Sequence, residues 1–190
     1  MGEQLYYHAN GFDFSKLSEK VPPRETSYGK SQVLLRDYQD AKEIEVVICV
    51  MADNVAARLR KHKVVGEVVH LSVGFSKDEF EKGFSQQMKL ETPTDLTSKI
   101  TEVCLNIFRN RYHRQIVHSI AISVGKISSK TNMQLNLFAD TEKIQKEEAL
   151  DTTIDRIRNK YGKSAILRAS SYTNGGTARM RDGLVGGHQG

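Results

Sequence analysis

The residue types that could perform chemistry are scattered along this sequence. Cys49 and Cys104 are far apart, each inside an apolar helical pattern, and no Cys-x-x-Cys pair occurs. His113 and His118 lack a partner at the spacing that metal ligands need. An enzyme domain would require a pocket of convergent ionisable residues, and no cluster in the sequence predicts one. We therefore expect no catalytic residue, no metal site and no cofactor in this chain.

A short apolar peptide in the second half of the chain is a candidate binding segment. Gln134-Leu135-Asn136-Leu137-Phe138 follows a polar stretch. Such a segment can order on binding, with Gln134 hydrogen-bonding at the mouth of a pocket and Leu135, Leu137 and Phe138 anchored in an apolar groove. The alternative is a short strand, or the start of an amphipathic helix, packed on its own domain.

Composition limits the class of protein. The net charge of +5 suits a polyanionic partner such as nucleic acid, although many cytosolic proteins are equally basic. Two isolated cysteines are typical of a reducing compartment. The apolar runs are far shorter than the ~20 residues of a membrane helix, and the N-terminus has no signal pattern. We expect a soluble, cytoplasmic protein with no membrane contact.

Hydrophobic periodicity predicts six regular elements. Asp40 begins the first helix, and Glu43 three residues later predicts a capping box. The order is β-α-β-β-α-β, an α+β fold of the ferredoxin-like or split-βαβ kind, in which two helices cover one sheet face and leave the other open. The strands are expected over 30–36, 68–75, 84–90 and 116–126, and the helices over 40–61 and 93–108.

The open sheet face is predicted from the alternation of side chains along each strand. Its positions are small, polar or basic, so a nucleic-acid backbone could approach closely and meet hydroxyls, amides and cations. It lacks the aromatic residues on which RNA-recognition sheets stack bases. A solvated face without a partner is the alternative. The predicted positions are Lys30, Gln32, Arg36, His70, Ser72, Gly74, Ser85, Gln87, Lys89, Ser119, Ser123 and Gly125.

Several segments resemble one family. The run from Ser27 to Asp37 has the pattern Ser-x-Gly-x-Ser-x-x-x-x-Arg-Asp, which is similar to the opening strand of the little-finger domain in Y-family translesion DNA polymerases of the ImpB/MucB/SamB (UmuC/DinB-like) group. The segments 7–13, 84–87 and 117–126 resemble the end of the thumb and two later strands of the little finger. The resemblance is nearest to Gram-positive UV-damage-repair members.

The resemblance implies a division of the chain. Residues 1–26 would be the end of the thumb and a linker, and residues 27–128 the DNA-binding little finger. Residues 129–145 would be a linker with a clamp-binding peptide, and residues 146–190 an amphipathic helix, with Ile154 and Ile157 on its apolar stripe, followed by a flexible tail. In an error-prone lesion-bypass polymerase of DNA repair and the SOS response, this part would hold the primer–template.

The resemblance also implies contacts and partners. Arginines found early in the fourth strand of archaeal relatives are replaced here by His118 and Ser119, so the grip there would be weaker or supplied by Arg114 and Lys126. Gln134, Leu135, Leu137 and Phe138 resemble the pentapeptide that binds the bacterial sliding clamp, the beta subunit of DNA polymerase III. The implied phosphate contacts are Lys30, Ser31, Gln32, Arg36, Ser85, Gln87, Lys89, Ser119, Ser123 and Lys126.

The same resemblance argues against catalysis by this chain. The family holds two Mg²⁺ ions with an Asp-x-Asp and a Ser-x-Asp-Glu in the palm. No Asp-x-Asp occurs, and the matching run Ser76 to Glu79 falls in a turn between two strands. We expect a monomeric, non-enzymatic fragment of a nucleotidyltransferase. A freestanding clamp-binding adaptor and an unrelated enzyme domain are the alternatives.

Overall fold

The structure is a computed structural model that describes residues 2–12, 27–130, 141–173 and 175–176. No helix in these ranges is both long and apolar enough to cross a membrane. A short 3-10 turn, Ala169–Tyr172, follows the last helix. The elements in chain order are α1 Gly2–Ala9, β1 Tyr28–Tyr38, α2 Ala41–Lys61, β2 Val64–Phe75, β3 Gly83–Thr94, α3 Thr97–Arg111, β4 Val117–Ser129 and α4 Thr141–Tyr161.

The four strands form one antiparallel sheet in the order β1-β4-β2-β3. Strand β4 lies between β1 and β2, and β2 lies between β3 and β4, so both β-α-β units are split by a strand inserted from the other unit. Helices α2 and α3 pack on the same side of the sheet. The predicted α+β, split-βαβ fold is confirmed.

The core lies between the sheet and these two helices. Alternate residues of β4, Ile120, Ile122 and Val124, are buried and face the apolar stripes of α2 and α3. Burying aliphatic side chains of this size removes enough apolar surface from water to drive the packing of helices on the sheet, about 1.5–3 kcal/mol per side chain. The opposite side of the sheet has no helix over it among the described residues.

The start of α2 follows the sequence prediction in position and differs in detail. Asp40 is the N-cap, and its carboxylate accepts a hydrogen bond from the Lys42 backbone N–H at 2.9 Å. The carboxylate of Glu43 instead accepts two bonds of 2.8 Å from the Arg36 guanidinium on β1. The predicted capping box is therefore wrong, because a charged partner on the neighbouring strand engages Glu43.

Helix α4 begins at Thr141, five residues before the predicted start at 146. A Lys146–Glu142 ion pair of 2.6 Å, one turn apart, supports its first turn. Leu150 on its surface is 59% exposed, so the helix is not held by a deep apolar stripe alone. Its attachment is largely polar. Asp151 is buried and accepts a hydrogen bond of 2.9 Å from the Thr97 backbone N–H, which caps the start of α3.

The chain after α4 turns back along α2. Ser171 and Gly175 are buried, and a Cβ atom on Gly175 would lie 2.6 Å from the Cα atom of Glu43. This close approach of backbone to α2 requires glycine. Ser171 and Gly175, in the segment predicted as a flexible tail, are therefore packed on the domain.

Candidate nucleic-acid interface

The open sheet face is defined by the register of the four strands. Ser72 of β2 pairs with Ser85 on one side and with Ala121 on the other, so these three side chains share a face. The neighbouring buried residues Leu71 and Ile122 point to the helices. The open face consists of Gly29, Ser31, Val33, Val68, His70, Ser72, Gly74, Ser85, Gln87, Lys89, Ser119, Ala121, Ser123 and Gly125.

At the centre of this face the side chains are small, so little projects above the backbone of the sheet. A Cβ atom on Gly74 would collide with the hydroxyl of Ser119, its partner on the neighbouring strand. The Ser119 side chain therefore occupies the space above Gly74. On the other side of β4, a Cβ on Gly29 would lie 3.0 Å from the Cβ of Ser123. Such a surface allows a ligand's backbone to come near the sheet, with hydroxyl groups at the contact.

Polar contacts on the open face are few and local. His70 Nε2 and the Ser85 hydroxyl are 2.6 Å apart across the β2–β3 pair. Lys89 forms an exposed ion pair of 2.8 Å with Glu67, and its hydrogen bond lowers the pKa of Glu67. An exposed pair of this kind contributes little to folding and can exchange its carboxylate for another anion. Lys89 is thus a cation that a phosphate could recruit.

At one end of the sheet, His118 and Asp37 form an exposed pair between β4 and the end of β1. His118 Nδ1 and Asp37 Oδ1 are 2.9 Å apart. The hydrogen bond from His118, followed by one from Ser76, lowers the pKa of Asp37. His118 is therefore engaged with a carboxylate at the position where the family resemblance leads one to look for an arginine.

Six of the ten predicted phosphate contacts lie on the open face. Five of them were predicted to lie there, and Ser31 lies there because the parity of β1 is the reverse of the predicted one. The six residues come from three different strands and from both edges and centre of the sheet. Their assignment as phosphate contacts stays a prediction. The six are Ser31, Ser85, Gln87, Lys89, Ser119 and Ser123.

The predicted placement of Lys30, Gln32 and Arg36 on this face is wrong. Gln32 is only 4% exposed and lies on the helix side with Leu34. Lys30 lies on that side too, because its neighbours Gly29 and Ser31 share the open face. The Val33-Leu34-Leu35 run is apolar at consecutive positions. The alternation along β1 therefore does not show whether its odd- or its even-numbered residues face the core.

Arg36 is drawn to α2 by its pair with Glu43, and its guanidinium lies 4.1 Å from the centre of the Tyr38 ring. A register irregularity between Val33 and Tyr38 separates it from the regular part of β1. Its pKa is raised, first of all by the hydrogen bond to Glu43. This cation is held at the domain's own surface and not at the open face.

Lys126 is exposed near the end of β4, in the left-handed region with φ of 52°. Its charge is close enough to Glu67 to help lower the pKa of that carboxyl. Lys126 therefore lies at the margin of the open face, near the Lys89–Glu67 pair. The reversed parity of β1 also puts Val33 on the open face, where it is 63% exposed, and sequence reasoning missed this apolar position.

The Ser76 to Glu79 run has a structural role. The Ser76 backbone N–H donates to the Ile116 carbonyl at 2.8 Å, and Glu79 Oε1 accepts from the Ile116 N–H at 2.7 Å. Within the described ranges no group of three or more His, Cys, Asp or Glu residues could hold a metal ion. The peptide Gln134, Leu135, Leu137 and Phe138 lies outside the described residues.

The comparison with protein families identifies the domain. The family model described as "impB/mucB/samB family C-terminal domain" matches residues 25–137, which include the whole sheet and both covering helices. The chain belongs to the impB/mucB/samB family. The predicted family resemblance is confirmed.

Individual relatives agree with this family. The chain is 44% identical over 190 residues to UvrX of Bacillus subtilis (strain 168), a protein named for UV-damage repair, and covers 45% of its length. It is 33% identical over 188 residues to DNA polymerase IV 2 of the same organism, again covering 45%. The chain thus spans about half the length of these impB/mucB/samB relatives.

Among solved structures, the chain is similar to one in a complex of the beta-clamp processivity factor and the little finger domain of PolIV. The TM-score is 0.45 at 17% identity, and the match covers 60% of this chain and all of the other.

Proposed function

We propose that this chain is the DNA-gripping region of an impB/mucB/samB lesion-bypass polymerase, acting as a monomer in DNA repair and the SOS response. The open sheet face would hold the primer–template duplex by its phosphates, and the Gln134 to Phe138 peptide would tether the protein to the bacterial sliding clamp. The observation that carries the proposal is the open face itself, a hydroxyl- and amide-rich surface with no helix over it among the described residues.

The chemistry of the open face favours duplex DNA over a single strand read by its bases. Serine hydroxyls and the Gln87 amide can donate to phosphate oxygens irrespective of sequence. The glycines and serines at the centre let the backbone of the duplex come close. None of the open-face positions is an aromatic residue on which bases could stack, apart from the His70 ring, which is engaged with Ser85. Binding should therefore ignore sequence.

The nucleotidyl-transfer reaction would belong to a part of the polymerase outside this chain. The carboxylates that hold two Mg²⁺ ions in such enzymes have no counterpart here, because Glu79 is bonded to the Ile116 N–H and the sequence has no Asp-x-Asp. We propose that Mg²⁺ binds in that other part, and that this chain contributes position and affinity.

The clamp peptide would act through effective concentration. It lies between β4, which ends at Ser129, and α4, which begins at Thr141. A tether placed next to the DNA-binding sheet keeps that sheet near a primer end, which offsets weak binding by the sheet alone. Gln134 would supply a hydrogen bond, and Leu135, Leu137 and Phe138 the apolar anchors.

The clamp half of the proposal is tested with purified clamp in surface plasmon resonance. Gln134→Ala/Leu137→Ala/Phe138→Ala should abolish clamp binding, and Asn136→Ala, a matched change inside the same peptide, should leave it within about twofold because a hot spot depends on few residues. Retained affinity in the triple variant would place the contact elsewhere.

The DNA half is tested by fluorescence anisotropy of a labelled primer–template. Ser85→Glu/Ser123→Glu should abolish binding, since two carboxylates would face the phosphates. Asn106→Glu/Asn110→Glu on the exposed side of α3 adds the same charge elsewhere, removes only the exposed bond between these two amides, and should weaken binding far less. Clamp binding without any DNA binding by the unaltered chain would support the freestanding adaptor instead.

A further inference from the structure

A second basic surface lies on the helix side of the sheet, away from the open face. It is a groove of about 1350 Å³ between the outer side of α2, the second half of α4 and the segment that follows α4. We call it the helix-side groove. The cations that define it include Lys61, Lys63, Arg156, Lys163 and Arg168.

The charge of the groove is strongly one-sided. Ten lysine and arginine side chains line it, against three aspartates. Two further carboxylates do not line the groove but pair with cations that do: Asp151 with Arg60, and Glu148 with Lys130. Each lining aspartate is already engaged with one lining cation, in the pairs Asp53–Arg158 at 2.6 Å, Asp155–Arg60 at 2.6 Å and Asp95–Lys130 at 2.9 Å.

Five of the other lining cations form no such pair within the described part of the chain. They are Lys61, Lys63, Arg156, Lys163 and Arg168. A cation at the end of α2 is favoured by the helix dipole, which accounts for Lys61 without any ligand. The helix dipole does not account for the other four cations. Lys63 lies in the turn between α2 and β2, Arg156 lies in α4, and Lys163 and Arg168 lie in the segment after α4.

One side-chain feature indicates that the groove is made for a ligand. Gln32 lines the groove as well, is only 4% exposed, and its amide nitrogen has no hydrogen-bond partner in the described structure. Unpartnered buried donors are rare in folded proteins, so this one is a candidate to bind an anionic ligand.

We propose that the helix-side groove binds a single-stranded nucleic-acid backbone through consecutive phosphates. The cations are spread along α2, α4 and the segment that follows α4, so a flexible single strand could present consecutive phosphates to them. No aromatic residue lines the groove, so bases are not stacked and sequence is not read. A strand on this side leaves the open sheet face free for a duplex.

The test is anisotropy of a labelled oligothymidylate of twenty nucleotides, titrated with the full chain at low and at moderate salt. The groove variant is Lys61→Glu/Arg156→Glu/Lys163→Glu. We expect its affinity to fall at least about tenfold, and the slope of log affinity against log salt to fall by about 2, since each cation on a single strand releases about 0.7 counterion. The matched control Lys42→Glu/Lys77→Glu/Arg111→Glu makes the same charge change away from the groove.

The outcomes separate this site from the open face. Loss of oligothymidylate binding in the groove variant, with primer–template binding retained and an unchanged circular dichroism spectrum, supports the groove. Equal weakening in groove variant and control, or no binding of oligothymidylate by the unaltered chain, overturns it. Unlabelled oligoglutamate should displace the labelled oligothymidylate far less well than unlabelled oligothymidylate does. If the unaltered chain binds both competitors equally well and the groove variant binds neither, the assignment to nucleic acid is overturned in favour of an acidic peptide.

Discussion

The open sheet face and the interface beneath α4 lie on opposite sides of the same sheet and use polar residues in opposite ways. Under α4, charged groups are taken out of water and paired with each other. The Arg60 side chain, for example, is only 10% exposed and forms two ion pairs, with Asp151 at 3.0 Å and with Asp155 at 2.6 Å. On the open face, hydroxyls and amides remain at the surface with few internal bonds.

This difference separates polar groups that hold the fold from those that are available to a partner. A largely buried ion pair such as Arg60–Asp151 leaves a charge with little solvent and no counter-ion when it loses one member, so its members stabilise the fold. A surface hydroxyl such as that of Ser123 loses nothing when it exchanges water for a phosphate oxygen. The polar residues of the two regions should therefore respond differently to the same kind of substitution.

The largest effect is expected at Arg60. Arg60→Ala leaves Asp151 and Asp155 without their cation, and we expect the free energy of unfolding to fall by about 3 kcal/mol, near the lower end of values for a broken buried pair. Chemical denaturation measures it. Arg109→Ala removes an exposed pair with Glu45 and serves as the control, with an expected change below about 0.5 kcal/mol. Equal losses in both variants would contradict the distinction between the two regions.

Removal of hydroxyls from the open face should give the reverse pattern. Ser85→Ala/Ser123→Ala should leave the free energy of unfolding unchanged to within about 0.5 kcal/mol. Duplex affinity should fall by roughly threefold to tenfold, because each hydroxyl gives a hydrogen bond to phosphate worth about 1 kcal/mol or less net. Anisotropy and denaturation on the same samples check this. Lost stability with unchanged DNA affinity would make these serines structural.

A smaller effect is expected at Gln32, the buried amide on the helix side. Gln32→Met keeps the size of the side chain and removes a donor that has no partner in the described structure. We expect the free energy of unfolding to rise by about 1 kcal/mol, within the cost range of an unsatisfied buried donor. A loss of stability would show that the amide has a partner in the folded protein.

The smallest effect concerns the Asp37–His118 pair at the end of the sheet. The pKa of Asp37 is lowered, so its contribution to stability is present above the ordinary aspartate pKa and is lost as pH falls through the lowered folded value. His118→Ala should raise the pKa of Asp37 towards its ordinary value, as measured by NMR titration of the carboxyl. Because both side chains are exposed, the change in thermal stability should be slight, and an unchanged pKa would mean that Ser76 alone holds it.

The fold was predictable because its signals are local and repeated. The alternation in β2 and β4 and the stripes of α2 and α3 each indicate one burial pattern, and together they predict the β-α-β-β-α-β order. On β1 the consecutive apolar run at Val33, Leu34 and Leu35 fits either parity. The polar Gln32 on one side of that run favoured the wrong choice.

The α4 interface was not predictable from spacing. Its ion pairs between α2 and α4 join residues 91 to 105 positions apart, such as Arg60 with Asp155 and Asp53 with Arg158. In sequence each of these reads as an ordinary solvated charge on a helix surface. Only the packing of α4 against α2 brings them together, and the same packing creates the helix-side groove.

The most direct test of the central claim is an NMR titration of the isotope-labelled chain with primer–template DNA. The account predicts that the amide shifts cluster on the open face, at residues such as Ser72, Ser85 and Ser123, with little change in the core-facing parts of α2 and α3. Shifts confined to the helix side, or spread evenly over all exposed lysines and arginines, would contradict it.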